Sequence, residues 1–314
     1  MALILPSIAL AQTQSQLLTP PDSLPVPEQG EVSCVAEVCE SGQLFEATAA
    51  QPIRLFKKQA IQKLTVSGGW LEAISSDDLS SSFLETSIGL GVPLGSFDNI
   101  LGVTPSFRVD FVDAAPQLDV PAELFETGVS FFYRKPIKKR LSAMAIVRPS
   151  VRSDFKTSEK AFRLFGLGLL NWECRPETLS LSFGAVALGR ADLPLLPAVG
   201  LTWTPEPTKR LELRFPASRF AYRIARNGVQ NETWVYMNAE LGGNTWAVTR
   251  ANGQADELSL RDIRFLFGVD HVVDGGGGWF AEFGYAFNRR IEYESTDVDV
   301  SLSDGVLLQA GWRY

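Results

Sequence analysis

The chain has 314 residues and a formal net charge of −7, so it lacks the basic face that a binder of phosphate backbones needs, and nucleic acid is excluded as a partner. Mean hydropathy is near zero, and no stretch approaches the ~20 apolar residues of a membrane helix; the longest candidate, Leu164 to Leu170, is far too short. Membrane strands stay open, because segments of about 9–11 residues that alternate apolar and polar side chains average to a soluble-looking hydropathy.

In chain order, residues 2–10 form a short apolar run, and Ala9-Leu10-Ala11 before Gln12 fits a signal-peptidase site. The basic region that should precede such a run is missing, so either the start lies upstream or residues 1–11 are only an apolar N-terminus. Export is the expectation. Residues 12–56 follow as a linker on the periplasmic side, proline-rich through Thr19-Pro20-Pro21-Asp22-Ser23-Leu24-Pro25-Val26-Pro27 and a poor core former. In an oxidising periplasm Cys34 and Cys39 have the spacing for a small local disulfide that leaves Cys174 unpaired; the plainer reading is that no cysteine is functional. Three cysteines and one histidine without paired-ligand spacing give no reason to expect zinc, and no other cofactor is expected.

From residue 57 onward a single period-2 pattern repeats, in segments of ~8–14 residues separated by turn formers. Leu101, Val103, Pro105, Phe107, Val109 and Phe111 oppose Gly102, Thr104, Ser106, Arg108 and Asp110. Phe125, Val129, Phe131 and Tyr133 oppose Glu126, Gly128, Ser130 and Arg134. Leu141, Ala143, Ala145, Val147 and Val151 oppose Ser142, Arg148, Ser150 and Arg152. Leu179, Leu181 and Phe183 oppose Ser180, Ser182 and Gly184; later, Ala281, Phe283, Tyr285 and Phe287 oppose Glu282, Gly284 and Asn288. The last strand repeats the pattern, with Val306, Leu308, Ala310 and Trp312 on one face and Gln309 and Arg313 on the other.

The connections alternate too. Short turns at 93–96, 135–138, 175–177, 205–208 and 274–278 interleave with mostly longer Asp-, Ser- and Pro-rich stretches at 75–81, 113–121, 153–160, 190–196, 245–257 and 294–304. An outer-membrane barrel has this asymmetry, its short turns facing the periplasm. Single-chain bacterial barrels have even strand numbers, and Phe215-Pro216-Ala217-Ser218 supplies a break where proline disfavours pairing. The expected fold is therefore all-β: a transmembrane, antiparallel, up-and-down barrel over 57–314 of about 14 strands, with about 12 as the alternative. Aromatics near strand ends (Trp70, Phe83, Tyr133, Trp172, Trp203, Trp234, Trp279, Tyr293, Trp312 and Tyr314) are expected in two girdles at the membrane interfaces.

Little in the sequence suggests covalent chemistry. His271 sits beside a turn, Gly275-Gly276-Gly277-Gly278 lacks the residues of a phosphate loop, and Asp297-Val298-Asp299 reads as a solvated loop, so no enzymatic activity is expected. The informative charges lie on the inward faces: Glu85, Arg108, Asp110, Glu126, Arg134, Arg148, Arg152, Glu212, Arg214, Arg223, Arg264 and Glu282. An Arg or Lys facing lipid at the midplane costs about 2–4 kcal/mol, so these side chains must line a lumen or pair within it. A mixed-sign wall reads either as a selective aqueous pore or as a filled interior.

Several segments resemble an uncharacterised bacterial outer-membrane β-barrel family known only as a domain of unknown function. They include Ala191-Asp192-Leu193-Pro194-Leu195-Leu196-Pro197 leading into Val199-Gly200-Leu201-Thr202-Trp203, and Arg210-Leu211-Glu212-Leu213 with Phe215-Pro216. Ala221-Tyr222-Arg223, the run Glu240-Leu241-Gly242-Gly243-Asn244-Thr245-Trp246-Ala247-Val248, Glu292-Tyr293-Glu294 and the terminal Gly311-Trp312-Arg313-Tyr314 carry the rest. The resemblance implies an outer-membrane location and assigns no substrate. The final strand, with Trp312 and Tyr314, also resembles the signal read by the barrel-assembly machinery, with Tyr where Phe is usual. The expected partners are outer-membrane lipid and that machinery, with a homo-oligomer left open. The leading functional expectation is a passive channel or small-solute transporter, with Arg108, Arg148, Arg152, Arg214 and Arg264 first among its selectivity residues. The alternatives are a structural or partner-binding envelope barrel, and a secreted soluble β-sandwich that binds carbohydrate.

Overall fold

A computed structural model describes residues 57, 59–75, 78–94, 100–187, 195–215 and 217–314. The signal-like segment 1–11, the linker 12–56 with Cys34 and Cys39, motif residues 191–194 and Pro216 lie outside the described residues. Cys174 is a free thiol.

Among the described residues fifteen strands follow one another. They are β1 (Ile61–Ala73), β2 (Leu79–Pro93), β3 (Ile100–Ala114), β4 (Glu123–Lys138) and β5 (Leu141–Ser153). Next come β6 (Phe162–Arg175), β7 (Leu179–Ala187), β8 (Leu196–Glu206), β9 (Lys209–Arg214) and β10 (Ala217–Asn227). The last are β11 (Asn231–Thr249), β12 (Ala255–Val273), β13 (Gly278–Tyr293), β14 (Thr296–Ser301) and β15 (Gly305–Arg313). A single 3-10 turn, Pro116–Leu118, lies between β3 and β4. Neighbouring strands pair antiparallel, and β15 pairs with β13 on one side and β1 on the other, so the sheet closes. Because β14 pairs with β13 alone, the closed barrel has 14 strands. The break expected at Phe215-Pro216-Ala217-Ser218 separates β9 from β10 and makes the count even.

The described residues form one closed sheet, with no second sheet for the outward face to pack on, which removes the soluble-sandwich alternative. The outward face is apolar and exposed around the ring, as at Trp70, Phe107, Leu170, Val199, Phe265 and Leu308. Closure gives every wall strand a partner on both sides, which a lipid environment requires. At the short-turn end the connections include 139–140, 176–178, 207–208, 228–230 and 274–277; at the other end they include 74–78, 115–122, 154–161, 250–254 and 294–304.

Four expectations need correction. Phe83, Trp234 and Tyr293 are interior residues rather than girdle residues: Phe83 stacks under Arg108, Trp234 donates to Glu232, and Tyr293 is buried in an apolar cluster. Trp70, Trp172, Trp203, Trp279, Trp312 and Tyr314 do face outward and are exposed. Asn288 is exposed instead of inward, because it takes a left-handed φ of 51° at a register shift between β12 and β13. Asparagine tolerates that conformation, and the shift turns Arg289, Ile291 and Tyr293 inward. The stretch 245–257 is largely strand, since Asn244 through Thr249 pair with Leu260 through Ala255. Likewise 294–304 contains β14, which pairs with the overhanging end of β13 from Arg290 to Tyr293.

Candidate functional site: the lumen and its septum

The alternation that exposes apolar side chains to the outside sends the charged ones inward, and the structure places every expected lumen residue there. Arg108 lies 3.6 Å from Glu85 and 2.6 Å from Asp110. Glu126 accepts hydrogen bonds from Arg148 at 2.7 Å and Arg152 at 3.1 Å. Arg264 forks onto Asp262 at 2.6 and 2.9 Å. Towards the short-turn end, Arg214 lies 3.3 Å from Glu212 and donates to Thr202 Oγ1 at 3.0 Å. Arg223 donates to Glu232 at 2.6 Å, and Glu282 accepts from the Tyr236 hydroxyl at 2.6 Å. Arg134 donates to Ser142 Oγ at 3.4 Å and keeps one buried guanidinium nitrogen without a partner. The expected residues are thus brought into several local pairs rather than one cluster.

What the sequence reading missed is the path of β11. β10 pairs with β11 only as far as Ala217↔Glu240, whereas β11 and β12 stay paired to Thr249↔Ala255. Beyond Glu240, β11 leaves β10 and reaches β5, where Ala247 pairs in parallel with Ser153. Both faces of this segment are buried: Asn244, Trp246, Ala247 and Val248 are all covered. The result is a septum that closes a smaller ring from β11, β12, β13, β15, β1, β2, β3, β4 and β5, and leaves β6–β10 outside it.

Two glycines allow the bend. A Cβ at Gly242 would sit 1.9 Å from Asp262 Oδ1, and one at Gly243 would sit 2.1 Å from the Leu260 carbonyl oxygen. Gly243 also has φ of 92°, a region that side-chain-bearing residues rarely enter. Leu79, Val112, Leu124, Trp246, Val248, Leu258, Ile291 and Tyr293 then fill the small ring with an apolar core. Tyr293 caps that core by donating its hydroxyl to the carbonyls of Leu118 and Asp119 at 3.0 and 2.7 Å.

A latch holds the septum to the far wall. Asn244 donates to Glu126 at 2.9 Å. Asp154, just past β5, donates its backbone N–H to the Ala247 carbonyl at 3.1 Å, and its carboxylate accepts the Thr249 N–H at 2.8 Å. The same carboxylate accepts from the N–H groups of Lys156 and Thr157. Burial favours the protonated form of Asp154, but these backbone donors outweigh it and hold its pKa below the usual aspartate value. Below the septum, a cavity of about 70 Å³ is bordered by Arg108, Asp110, Glu126, Arg148, Glu240 and Asp262. That is room for a few waters at most. The septum and its apolar core fill the small-ring side of the lumen.

His271 has Thr233 Oγ1 3.0 Å from its Nδ1 and stacks on Trp279. Among the described residues no group of three His, Cys, Asp or Glu side chains is placed to hold a metal ion. Two signals in the sequence bear on the septum. Gly242-Gly243 interrupts a strand pattern, a mark of a bulge or close backbone approach. β11 and β12 reach 19 residues each, well beyond the about 9–11 that a crossing needs.

The family described as Domain of unknown function (DUF6268) matches residues 113–303. No curated protein matches the sequence. Among solved structures, the chain is similar to the Acinetobacter baumannii outer membrane protein Omp33, with 8% identity, 81% of this chain and 99% of that chain covered, and a TM-score of 0.29. It is also similar to the β domain of the Bordetella autotransporter BrkA, with 13% identity, coverages of 80% and 98%, and a TM-score of 0.32. For Pseudomonas aeruginosa OccK5 (OpdH) the identity is 10%, the coverages 80% and 97%, and the TM-score 0.30. No activity of these proteins transfers to this chain at such identities.

Proposed function

This chain belongs to the DUF6268 family, and on that premise we propose that it is an outer-membrane barrel acting as a gated passive channel for small polar solutes, closed in the conformation described. The observation that carries the reading is the manner of closure. Much of the lumen wall is charged, and the bent end of one strand crosses it, held by polar contacts at Asn244 and Asp154 and by the apolar packing of Trp246 and Val248. The exposed apolar belt supports a membrane location, since so large an uncovered apolar surface is foreign to a soluble monomer. Short turns then face the periplasm and the septum lies at the outer end.

A second reading, a structural or partner-binding envelope barrel, is favoured by the pairing of the lumen charges. Planar-bilayer conductance separates the two. Asp154→Asn removes the latch carboxylate and is expected to raise open probability at neutral pH. In the unmodified protein the latch carboxylate's contribution is complete above the ordinary aspartate pKa of about 3.9, and it is lost as the pH falls through the lowered value of the latched state. Opening should therefore increase only at strongly acid pH, and Asp154→Asn should abolish that step. Folded barrels that pass neither current nor solute in any of these conditions would end the channel reading and leave the structural one.

A further inference from the structure

The apolar core fills the small ring, so a route through the barrel has to run on the other side of the septum, along β6–β10. That side has its own charge. β9 and β10 bring Arg210, Arg214, Arg219, Arg223 and Arg226 to the lumen, against one inward carboxylate on the same two strands, Glu212. The surrounding carboxylates repeat one arrangement, a single acid between two guanidiniums. Glu212 lies 2.6 Å from Arg210 and 3.3 Å from Arg214. Glu232, on β11, lies 2.6 Å from Arg223 and 3.4 Å from Arg226. Asp270, on β12, lies 3.6 Å from Arg219 and is in contact with Arg313. Arginine does not give up its proton in a protein, so each such trio keeps one positive charge.

The far side of the lumen is mixed. Arg108 is one cation between two acids, Glu85 and Asp110, and beside it on β4–β5 Glu126 holds Arg148 and Arg152. The β9–β10 wall therefore carries guanidiniums in excess, whereas on β2–β5 three acids, Glu85, Asp110 and Glu126, face three guanidiniums, Arg108, Arg148 and Arg152. In each positive trio one guanidinium is the more accessible: Arg210 at 27% against 15% for Arg214, Arg219 at 20% against 7% for Arg313, and Arg226 only slightly above Arg223. A guanidinium presents several N–H donors in a fixed fork, and a second carboxylate or phosphate oxygen can share it without displacing the first.

We propose that the β9–β10 wall is an anion-binding surface and that the channel passes small anions, bearing carboxylate or phosphate groups, in preference to cations. The inference rests on the channel reading and names its substrate class. Low-dielectric walls lined with one sign of charge concentrate the opposite ion, which is how a fixed charge becomes selectivity.

The test is the reversal potential in a KCl gradient across planar bilayers, for the unmodified barrel and for barrels opened by Asp154→Asn. The expected result is a chloride-favouring potential, with current reduced by added inorganic phosphate. Replacing the more accessible arginines together (Arg210→Gln, Arg219→Gln and Arg226→Gln) should lower the chloride-to-potassium permeability ratio at least about threefold and weaken the phosphate block. Lysine at the same three positions should retain the preference, which separates charge from packing. If the triple variant does not fold, Arg219→Gln alone gives the same readout. A cation-favouring parent, or a ratio unmoved by removing these charges, overturns the proposal while leaving the channel in place. An absence of current in every folded barrel removes the channel reading, and this inference with it.

Discussion

Glu126 accepts hydrogen bonds from Arg148 and Arg152 on the neighbouring strand and from Asn244 on the septum, and it is only 5% exposed. Two buried guanidiniums and a bent strand thus depend on one carboxylate. Breaking a buried ion pair by removing one partner costs about 3–5 kcal/mol, because the remaining charge is left uncompensated. Glu126→Gln is expected to lower barrel stability by that order, read from urea unfolding midpoints in lipid vesicles or detergent. An unchanged midpoint would mean that water in the lumen already solvates the two arginines. The sequence identified Glu126, Arg148 and Arg152 as inward by parity alone. It did not identify Asn244 as their partner, because Asn244 lies 118 residues from Glu126 and on the opposite wall.

At the scale of the element, β11 does two jobs. From Asn231 to Glu240 it is an ordinary wall strand between β10 and β12, and from Asn244 to Thr249 it is a septum. The change of role is made at Gly243, where φ of 92° and the nearby Leu260 carbonyl leave no space for a side chain. A β-branched residue forced into such a conformation costs of order 1–3 kcal/mol or relaxes by straightening the strand. Gly243→Val should therefore release the septum in those molecules that fold. With Val248→Cys in a background whose native cysteines are replaced by serine, a membrane-impermeant thiol reagent should label the Gly243→Val barrel faster than the parent. Equal labelling in folded protein would show that the bend does not hold the septum in place. β11 also shows why the connection read over 245–257 was too long: its residues alternate poorly because both faces are buried, so the period-2 signal fades where the strand enters the interior.

For the whole molecule, closure is the dominant fact. Every wall strand has two partners, from β1 paired with β15 to β12 paired with β13, and only the overhanging β14 pairs on one side. The closing contact is reinforced by Tyr314, whose N–H donates to the Leu64 carbonyl at 2.8 Å and whose ring lies under the Lys57 ammonium at 3.4 Å. An unheated sample in SDS should migrate as a compact band that shifts on boiling, and extraction should require detergent. A native protein that stays monodisperse without detergent would contradict the membrane reading.

The sequence by itself determined which way the charged wall side chains point, since alternation leaves one face for the outside and one for the lumen; it failed at Asn288, where a register shift breaks the alternation. Through the break at Phe215-Pro216-Ala217-Ser218 it also determined an even strand count, and through the final strand, with Gln309 and Arg313 inward, the element that closes the ring. The tertiary structure alone decided what the lumen is. Whether Arg148 and Arg152 line an open pore or hold a septum depends on contacts between walls that are distant in the chain. Those contacts exist because two glycines let β11 turn away from β10 and meet β5. Alternation is a local property of a strand and survives in any barrel; the shape of the space inside is set by where one strand bends, and a periodic pattern carries no record of that.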